Sequence, residues 1–370
     1  MHILQLGKFY PVMGGVEKVA FDLTTGLSAA GVDCDMMSAT VSGFGSSRQL
    51  NAHSWLICCH SWRKVAATMI APSMITTLRA RCARYDVIHV HHPDPMAALA
   101  LMLSGYGGKV VCHWHSDILK QRLLLKLFMP LQSWLLRRAD LIVGTSPAYI
   151  EGSPFLRQHA AKTVCLPIGV PAMRPNPDIV RAIRSRYAGR KIVFSLGRLV
   201  AYKGFTNLVQ AAMHLGNDYV VLIGGTGALH DALQAEIEAC GLTGRVVLLG
   251  RIPDGELASY YAAADLFCLS SVQKTEAFGI VQIEAMSCGT PVVATLIPES
   301  GVAWVNAHGV SGLNVEPGNP GALAEAIRAI AGDPVTRAVY SQGARRRWEE
   351  LFTRDKMIEN CKNIYSRLWN

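Results

Sequence analysis

The 370-residue sequence predicts an α/β protein of two domains, each an open parallel sheet with helical crossovers. Three observations predict it. Both halves read as alternations of short apolar runs and helical segments. Each half opens on a buried strand that runs into glycines and then a helix: Ile3–Leu6 into Gly7 and Pro11-Val12-Met13-Gly14-Gly15, and Ile192–Leu196 into the stretch from Gly197 to Gly204. Between them Pro167-Ile168-Gly169-Val170-Pro171, with Pro175 and Pro177 beyond, reads as a hinge. With 50% hydrophobic residues there is material for two cores, and parallel strands imply right-handed crossovers.

The first half begins with the strand Ile3–Leu6 and the glycine loop, whose glycines let backbone approach a ligand closely. A helix from Val16 to about Ala30, ended by Gly31, leads to a strand from Asp33 to Thr40. Residues 42–85 show helical patterning with scattered Arg63, Lys64, Arg79, Arg81 and Arg84. Strands follow at Asp86–Val90 and Val110–His113. Residues 119–140 interleave Lys120, Arg122, Lys126, Arg137 and Arg138 with Leu, Phe, Met and Trp, and Pro130 predicts a kink or break. That composition suits either a core-facing helix with basic ends or an interfacial helix anchored by Trp134. Leu141–Gly144 and Val164–Leu166 complete the strands of this half.

In the second half, Ile192–Leu196 leads through Gly197–Gly204 into a helix to about His214. Strands at Val220–Ile223 and Val246–Leu249 run into Gly224-Gly225-Thr226-Gly227 and Gly250-Arg251-Ile252-Pro253-Asp254, followed by a helix through Tyr261. Leu266–Leu269 is a strand; a helix from about Ile280 to Ser287 is stopped by Gly289 and Pro291 before the strand Val292–Ala294. After Leu313–Val315 come helices at about Pro320–Ala331 and Pro334–Glu350, then a helix with an apolar side from Phe352 to Trp369.

Charge and cysteine usage narrow the partners. The net charge of +9 is lopsided: residues 1–175 hold 17 Lys+Arg against 9 Asp+Glu, which points to a polyanionic partner. Without basic–aromatic interleaving or a recognisable module, charge alone argues no case for nucleic acid. The 10 cysteines are scattered with no C-x-x-C, as expected in a reducing cytosol. The start, MHILQLG, enters a strand with no basic-then-apolar leader, and no run of about 18 apolar residues predicts a membrane span.

Glu276 and Glu284 flank the junction between the strand Leu266–Leu269 and the next helix. Eight helical steps cover at most about 12 Å, near the span from sugar to ribose in a nucleotide-sugar. The N–H groups of Phe278, Gly279 and Ile280 open that helix and would face a diphosphate between the two acids. Glutamates near helix starts are also ordinary surface residues; Glu284 differs because Ile280, Val281, Ile283, Ala285 and Met286 surround it, and a buried carboxylate needs a partner. Arg198 and Lys203, five residues apart at a helix start, suit a diphosphate but also a solvated loop. His89, His91, His92, His113 and His115 fall at two strand ends; a zinc set is conceivable, but no Cys or paired acid completes a tetrahedron. Asp33-x-Asp35 opens a strand rather than a substrate loop, which argues against a metal there.

The stretch E-A-F-G-I-V-Q-I-E-A-M-S-C-G-T-P-V-V-A, residues 276–294, resembles the E-x7-E motif of retaining glycosyltransferases of family 4, and the similarity extends over nearly the whole chain. The resemblance implies the GT-B fold, two facing Rossmann-like domains with an interdomain cleft. Residues 1–170 would form the acceptor side, 171–351 would bind the nucleotide-sugar, and a helix at about 352–370 would pack back on the first domain. Glu276 would orient the sugar and Glu284 the ribose; Arg198 and Lys203, in an element like the family's G-R-x-x-x-x-K-G, would hold the donor phosphates. His115 in H-W-H-S-D would approach the donor sugar, Gly14 and Gly15 would line the cleft, and backbone near Arg251 and Ile252 would meet the base. His115, Arg198, Lys203 and Glu276 are thus the catalytic candidates, with no metal and no cofactor required. Transfer would retain configuration by same-face attack, a donor phosphate oxygen taking the acceptor proton.

The stretches HVHHPDPMAALAL, HWHSDILKQ and GRLVAYKG look most like bacterial O-antigen and capsule mannosyltransferases. The expectation is therefore a peripheral enzyme on the cytoplasmic side of an anionic membrane, moving mannose from GDP-mannose to a polyprenyl-diphosphate-linked glycan. Alternatives are a transferase using UDP-galactose, UDP-glucose or UDP-GlcNAc, a GT-B-like UDP-sugar epimerase, and a nucleotide-sugar binding protein without transfer.

Overall fold

The computed structural model describes residues 1–12, 14–41, 44–65, 68–118 and 122–369. They form two compact units, Met1–Ile168 with Arg354–Asn370, and Gly169–Thr353. Six helices begin with the same dipeptide logic, a capping side chain followed by proline at the first helical position: Asp94-Pro95, Ser146-Pro147, Ser153-Pro154, Asn176-Pro177, Asn319-Pro320 and Asp333-Pro334. None of the described helices is long and apolar enough to cross a membrane.

The first unit contains β1 (His2–Tyr10), β2 (Asp33–Thr40), β3 (Ser46–Asn51), β4 (Ser54–Cys59), a small hairpin of β5 (Arg63–Val65) and β6 (Thr68–Ile70), β7 (Val87–His92), β8 (Lys109–Trp114), β9 (Leu141–Gly144) and β10 (Thr163–Cys165). Eight of these make one sheet in the order β10-β9-β8-β7-β1-β2-β4-β3, parallel except for β3 against β4. Chain order reverses between β1 and β7, so a ligand crevice is expected over the carboxyl ends of those two strands. Where helical patterning is expected over 42–85, the first described part carries the four strands β3 to β6, and α-helix is confined to Ser73–Arg81. Alternation in β3 is poor because its residues are nearly all exposed at the sheet edge.

The helix Arg122–Arg138 is continuous through Pro130, where a kink or break is expected. Phe128, Gln132, Leu135 and Leu136 are buried along it, while Arg138 donates to the carbonyl of Gly108 at 2.6 Å and pairs with Asp140. Its described second half is thus a packed helix with a structural arginine; Lys126 and Arg137 are exposed, and Lys120 lies outside the described residues. The helix Arg354–Ser366 belongs to the first unit. It lays Met357, Ile358, Cys361, Ile364 and Tyr365 into that core, and Arg354 donates to Thr25 at 2.5 Å.

The second unit is a six-stranded parallel sheet of β11 (Lys191–Leu196), β12 (Tyr219–Gly224), β13 (Val246–Gly250), β14 (Leu266–Leu269), β15 (Val292–Thr295) and β16 (Gly312–Val315), ordered β13-β12-β11-β14-β15-β16. Its order reverses between β11 and β14. Asp265, just before β14, is almost fully buried, accepts from the N–H of Ile192 at 2.7 Å and pairs with Arg184 and Arg337, locking the opposite end of the same two strands. All ten cysteines are free.

Candidate functional site

The carboxyl ends of β11 and β14 are where the second unit assembles charge. After β11 the chain makes a single 3-10 turn, Ala201–Lys203, and reaches Gly204 in a left-handed conformation (φ +65°). A Cβ at Gly204 would lie 2.2 Å from the carbonyl oxygen of Ser270, so only glycine lets this turn settle onto the end of β14. Ser270 donates its hydroxyl to the Lys203 carbonyl at 3.0 Å, and Val272 N donates to Tyr202 O at 2.8 Å. The result is a Lys203 Nζ–Glu276 Oε2 ion pair at 2.5 Å, with both side chains about nine-tenths buried. Ser271 donates to the same carboxylate oxygen at 3.0 Å, and Ser300 holds the Glu276 backbone carbonyl at 2.5 Å. A buried charge pair persists when its remaining hydrogen-bonding capacity is filled in this way.

Next to Glu276 the helix Ile280–Ser287 starts at Gly279, also left-handed (φ +76°). Its opening N–H groups have no intrahelical acceptor and carry the positive end of the dipole. Glu284, one helical stretch further on, is 9% exposed and accepts from Tyr261 Oη at 3.0 Å. Burial, and then the charge of Glu284, push the Tyr261 hydroxyl well above its usual range, so the phenol stays a donor. Arg198 is exposed and donates to Tyr202 Oη at 3.1 Å. Arg251 is exposed beside buried Ile252, whose side chain packs against Gly224 at the end of β12. Lys203, Glu276 and the Phe278–Ile280 helix start are therefore one cluster, with Arg198 held on the same turn by Tyr202.

In the first unit His115 follows β8 and donates its backbone N–H to His92 O at 3.0 Å. Its Nε2 lies 2.9 Å from His91 Nδ1, and His91 Nε2 lies 2.8 Å from Gln5 Oε1. Burial first, then neighbouring His113, His91 and Lys8, hold His115 well below the ordinary imidazole range, so it is neutral at pH 7. Gly14 precedes the helix Gly15–Ala29, and the Glu17 carboxylate folds back against it.

The histidines on the inner ends of β7 and β8 do converge. Ring nitrogens of His89, His91 and His113 lie within 4.8 Å of one another, and all three side chains are fully buried. Both His91 nitrogens are already engaged, by Gln5 and His115, and no carboxylate belongs to the group. A dication there would be fully desolvated among neutral rings with no anion to balance it, which is a costly arrangement. His89 Nε2 and both nitrogens of His113 have no hydrogen-bond partner among the described residues.

Sequence reading missed Ser271, Tyr261 and Gln5, because a serine after a strand, a helical tyrosine or a strand glutamine carries no motif. It also missed Lys8, whose only signal is a lysine inside a largely apolar first strand.

Comparison with known proteins places this geometry. Residues 178–347 match the family model "Glycosyl transferases group 1" and residues 13–170 the model "Glycosyltransferase Family 4". The chain is 31% identical over 361 residues to D-rhamnosyltransferase WbpZ of Pseudomonas aeruginosa, covering 95% of this chain and 92% of that one. It is 29% identical over 371 residues to the O-antigen chain mannosyltransferase C of Escherichia coli, covering 100% and 99%. Among solved structures, a sucrose-phosphate synthase from Thermosynechococcus elongatus superposes with a TM-score of 0.85 at 22% identity over 100% of this chain and 99% of that one. The Anabaena protein HepE in complex with UDP gives 0.81 at 21% over 99% and 100%.

Proposed function

The chain belongs to glycosyltransferase family 4, with the GT-B fold, and from that premise we propose that it is a retaining α-mannosyltransferase using GDP-mannose. Its acceptor would be a lipid-linked glycan in bacterial O-antigen assembly, at the inner face of the cytoplasmic membrane. The observation that carries the reading is the buried Lys203–Glu276 pair at the switch point of the second sheet, adjoining a helix N-terminus. The leaving diphosphate accumulates negative charge as the glycosidic bond breaks. Lys203, Arg198 and the N–H groups at Phe278 to Ile280 stabilise it, and fixed charge of this kind is usually the largest catalytic contribution. Glu276 accepts from sugar hydroxyls, Glu284 from the ribose, and neutral His115 approaches the sugar as a hydrogen-bonding group. These groups supply the positive charge without a metal. The acceptor hydroxyl attacks on the face the diphosphate leaves, giving its proton to a donor phosphate oxygen.

The relatives named for mannosyl and D-rhamnosyl transfer favour one sugar configuration, because D-rhamnose is 6-deoxy-D-mannose. A D-rhamnosyl donor is accordingly the second reading. A thermal-shift panel of GDP, UDP, GDP-mannose, GDP-D-rhamnose and UDP-hexoses tests both, followed by transfer assays on a lipid-linked glycan. Stabilisation by GDP compounds alone, with turnover of GDP-mannose, is expected. A shift with UDP compounds only would replace mannose, and donor isomerisation without an acceptor would replace transfer.

A further inference from the structure

At the switch point of the first sheet, the end of β1 does something its sequence position does not require. The β1–β2 register shifts between Leu6 and Phe9, and at this bulge Gly7 (φ +127°) is followed by Lys8 in a left-handed conformation (φ +61°). A lysine there is strained where glycine would not be, and such strain persists at positions that serve a ligand. The bulge turns Lys8 inward: the residue is 8% exposed, and among the described residues its ammonium makes no ion pair or hydrogen bond.

Across the crevice stand two acids. Asp94 is spent structurally, its carboxylate accepting from the N–H groups of Lys8, Met96 and Ala97. Glu17 is not: it is 5% exposed, and its carboxylate has no side-chain partner among the described residues. Burial raises its pKa against the opposing pull of Lys8. The backbone of Lys8 is held by Asp94 just after β7, and β1 pairs with β7 as far as Leu6 and Val90, so Lys8 lies at the carboxyl ends of those strands; its charge acts on Glu17 in the first turn of the helix Gly15–Ala29.

A buried cation and a buried anion that do not touch are both satisfied by a neutral group that accepts from one and donates to the other. A hydroxyl does this. A phosphate suits the site less, because the carboxylates of Glu17 and Asp94 stand beside Lys8 and the further cation that acts on Glu17, Lys64, is exposed. We infer that Lys8 and Glu17 hold a hydroxyl pair of the acceptor saccharide, Lys8 donating to one oxygen and Glu17 accepting from its neighbour. This rests on the glycosyl-transfer reading and assigns the sugar-recognising residues of the first unit, separately from the nucleotide groups of the second.

The test uses the full chain and methyl α-D-mannopyranoside, with the methyl glycosides of glucose, galactose and N-acetylglucosamine in parallel, read by saturation-transfer NMR. Wild type is expected to give a signal with at least one glycoside. Glu17→Gln and Lys8→Gly should each lower it at least fivefold, and Lys8→Arg should keep most of it. Lys8→Gly relieves the backbone, so its melting temperature should be unchanged or higher while the signal is lost, an outcome a purely structural lysine would not give. Nucleotide thermal shifts should match wild type in every variant, and an absent wild-type nucleotide shift would count against the transferase reading instead. Retained glycoside signal in Glu17→Gln and Lys8→Gly, no wild-type signal with any of the four sugars, or loss of the nucleotide shift in the variants would each overturn the assignment.

Discussion

Lys203 and Glu276 separate two effects that are usually confounded. Replacing Lys203 with Met removes the cation facing the leaving diphosphate, and loss of one such group typically costs about 100- to 1,000-fold in turnover. The same change strands Glu276 in a mostly buried position, costing about 3–5 kcal/mol of stability. The double variant Lys203→Met/Glu276→Gln removes that stranded charge. It should recover much of the lost stability in denaturant unfolding yet transfer no sugar faster than the single variant. Recovery of activity along with stability would mean that the lysine acts only as a structural partner. Tyr261→Phe tests the other acid: losing a hydroxyl that donates to Glu284 at 3.0 Å should raise donor KM about tenfold, a loss of about 1.4 kcal/mol, with kcat little changed.

At the scale of elements, the paired ends of β7 and β8 make the first unit acid-sensitive. Burial holds His89, His91 and His115 well below the ordinary range and pushes His92 and His113 down to about 3. An unfolded histidine protonates near pH 6.5, so below that pH the unfolded chain binds protons the folded unit refuses. Stability is complete above pH 6.5 and is lost as pH falls toward the folded values. All five shifts act in the same direction, so their costs reinforce one another as the pH falls below 6.5. Thermal unfolding at pH 7.5, 6.5 and 5.5 should show the first unit melting progressively before the second, and His113→Leu should flatten the dependence. A midpoint that does not move with pH would refute this. The glycine-anchored turn after β11 gives a second test: Gly204→Ala meets the Ser270 carbonyl and an unfavourable φ, and should cost about 1–3 kcal/mol and most of the activity.

What sequence reveals follows the same division. The six strands of the second unit were legible to within a residue because they are short apolar runs, three of them running into glycine; Pro320 and Pro334 marked two helix starts, whereas the helix Pro177–Arg186 was not placed. Glu276 and Lys203 were legible through spacing, and the structure puts them in contact. Residues 42–85 were not, because an exposed edge strand and a three-residue hairpin bury too little to impose alternation. The histidine-bearing strands were located, but nothing in a string of His codons for neutrality. That comes from the depth at which the sheet is covered, partly by a helix from the far end of the chain.

That helix governs the molecule as a whole. The first unit starts at Met1 but is finished only by Arg354–Asn370, after the entire second unit has been made. Tyr365, fully buried, accepts from Gln5 at 3.0 Å and lies 2.6 Å from His89 Nδ1, while Met357, Ile358, Cys361 and Ile364 fill the groove beside the helix Gly15–Ala29. Burying five such side chains contributes about 1.5–3 kcal/mol each, on the order of 10 kcal/mol together, which is the whole margin by which a domain is folded. A chain ending at Thr353 should therefore keep a second unit that unfolds cooperatively and shifts with GDP, but expose a first unit that is proteolysed and binds hydrophobic dyes. Residues 169–353 expressed alone should fold. Residues 1–168 alone should not, until a peptide of residues 354–370 is added, when amide-exchange protection should return first in β1 and β7, the strands that Gln5 and His89 tie to Tyr365. Stable folding of 1–168 without that peptide would show that the first core closes without its last helix, and would remove the reason for the chain to cross back.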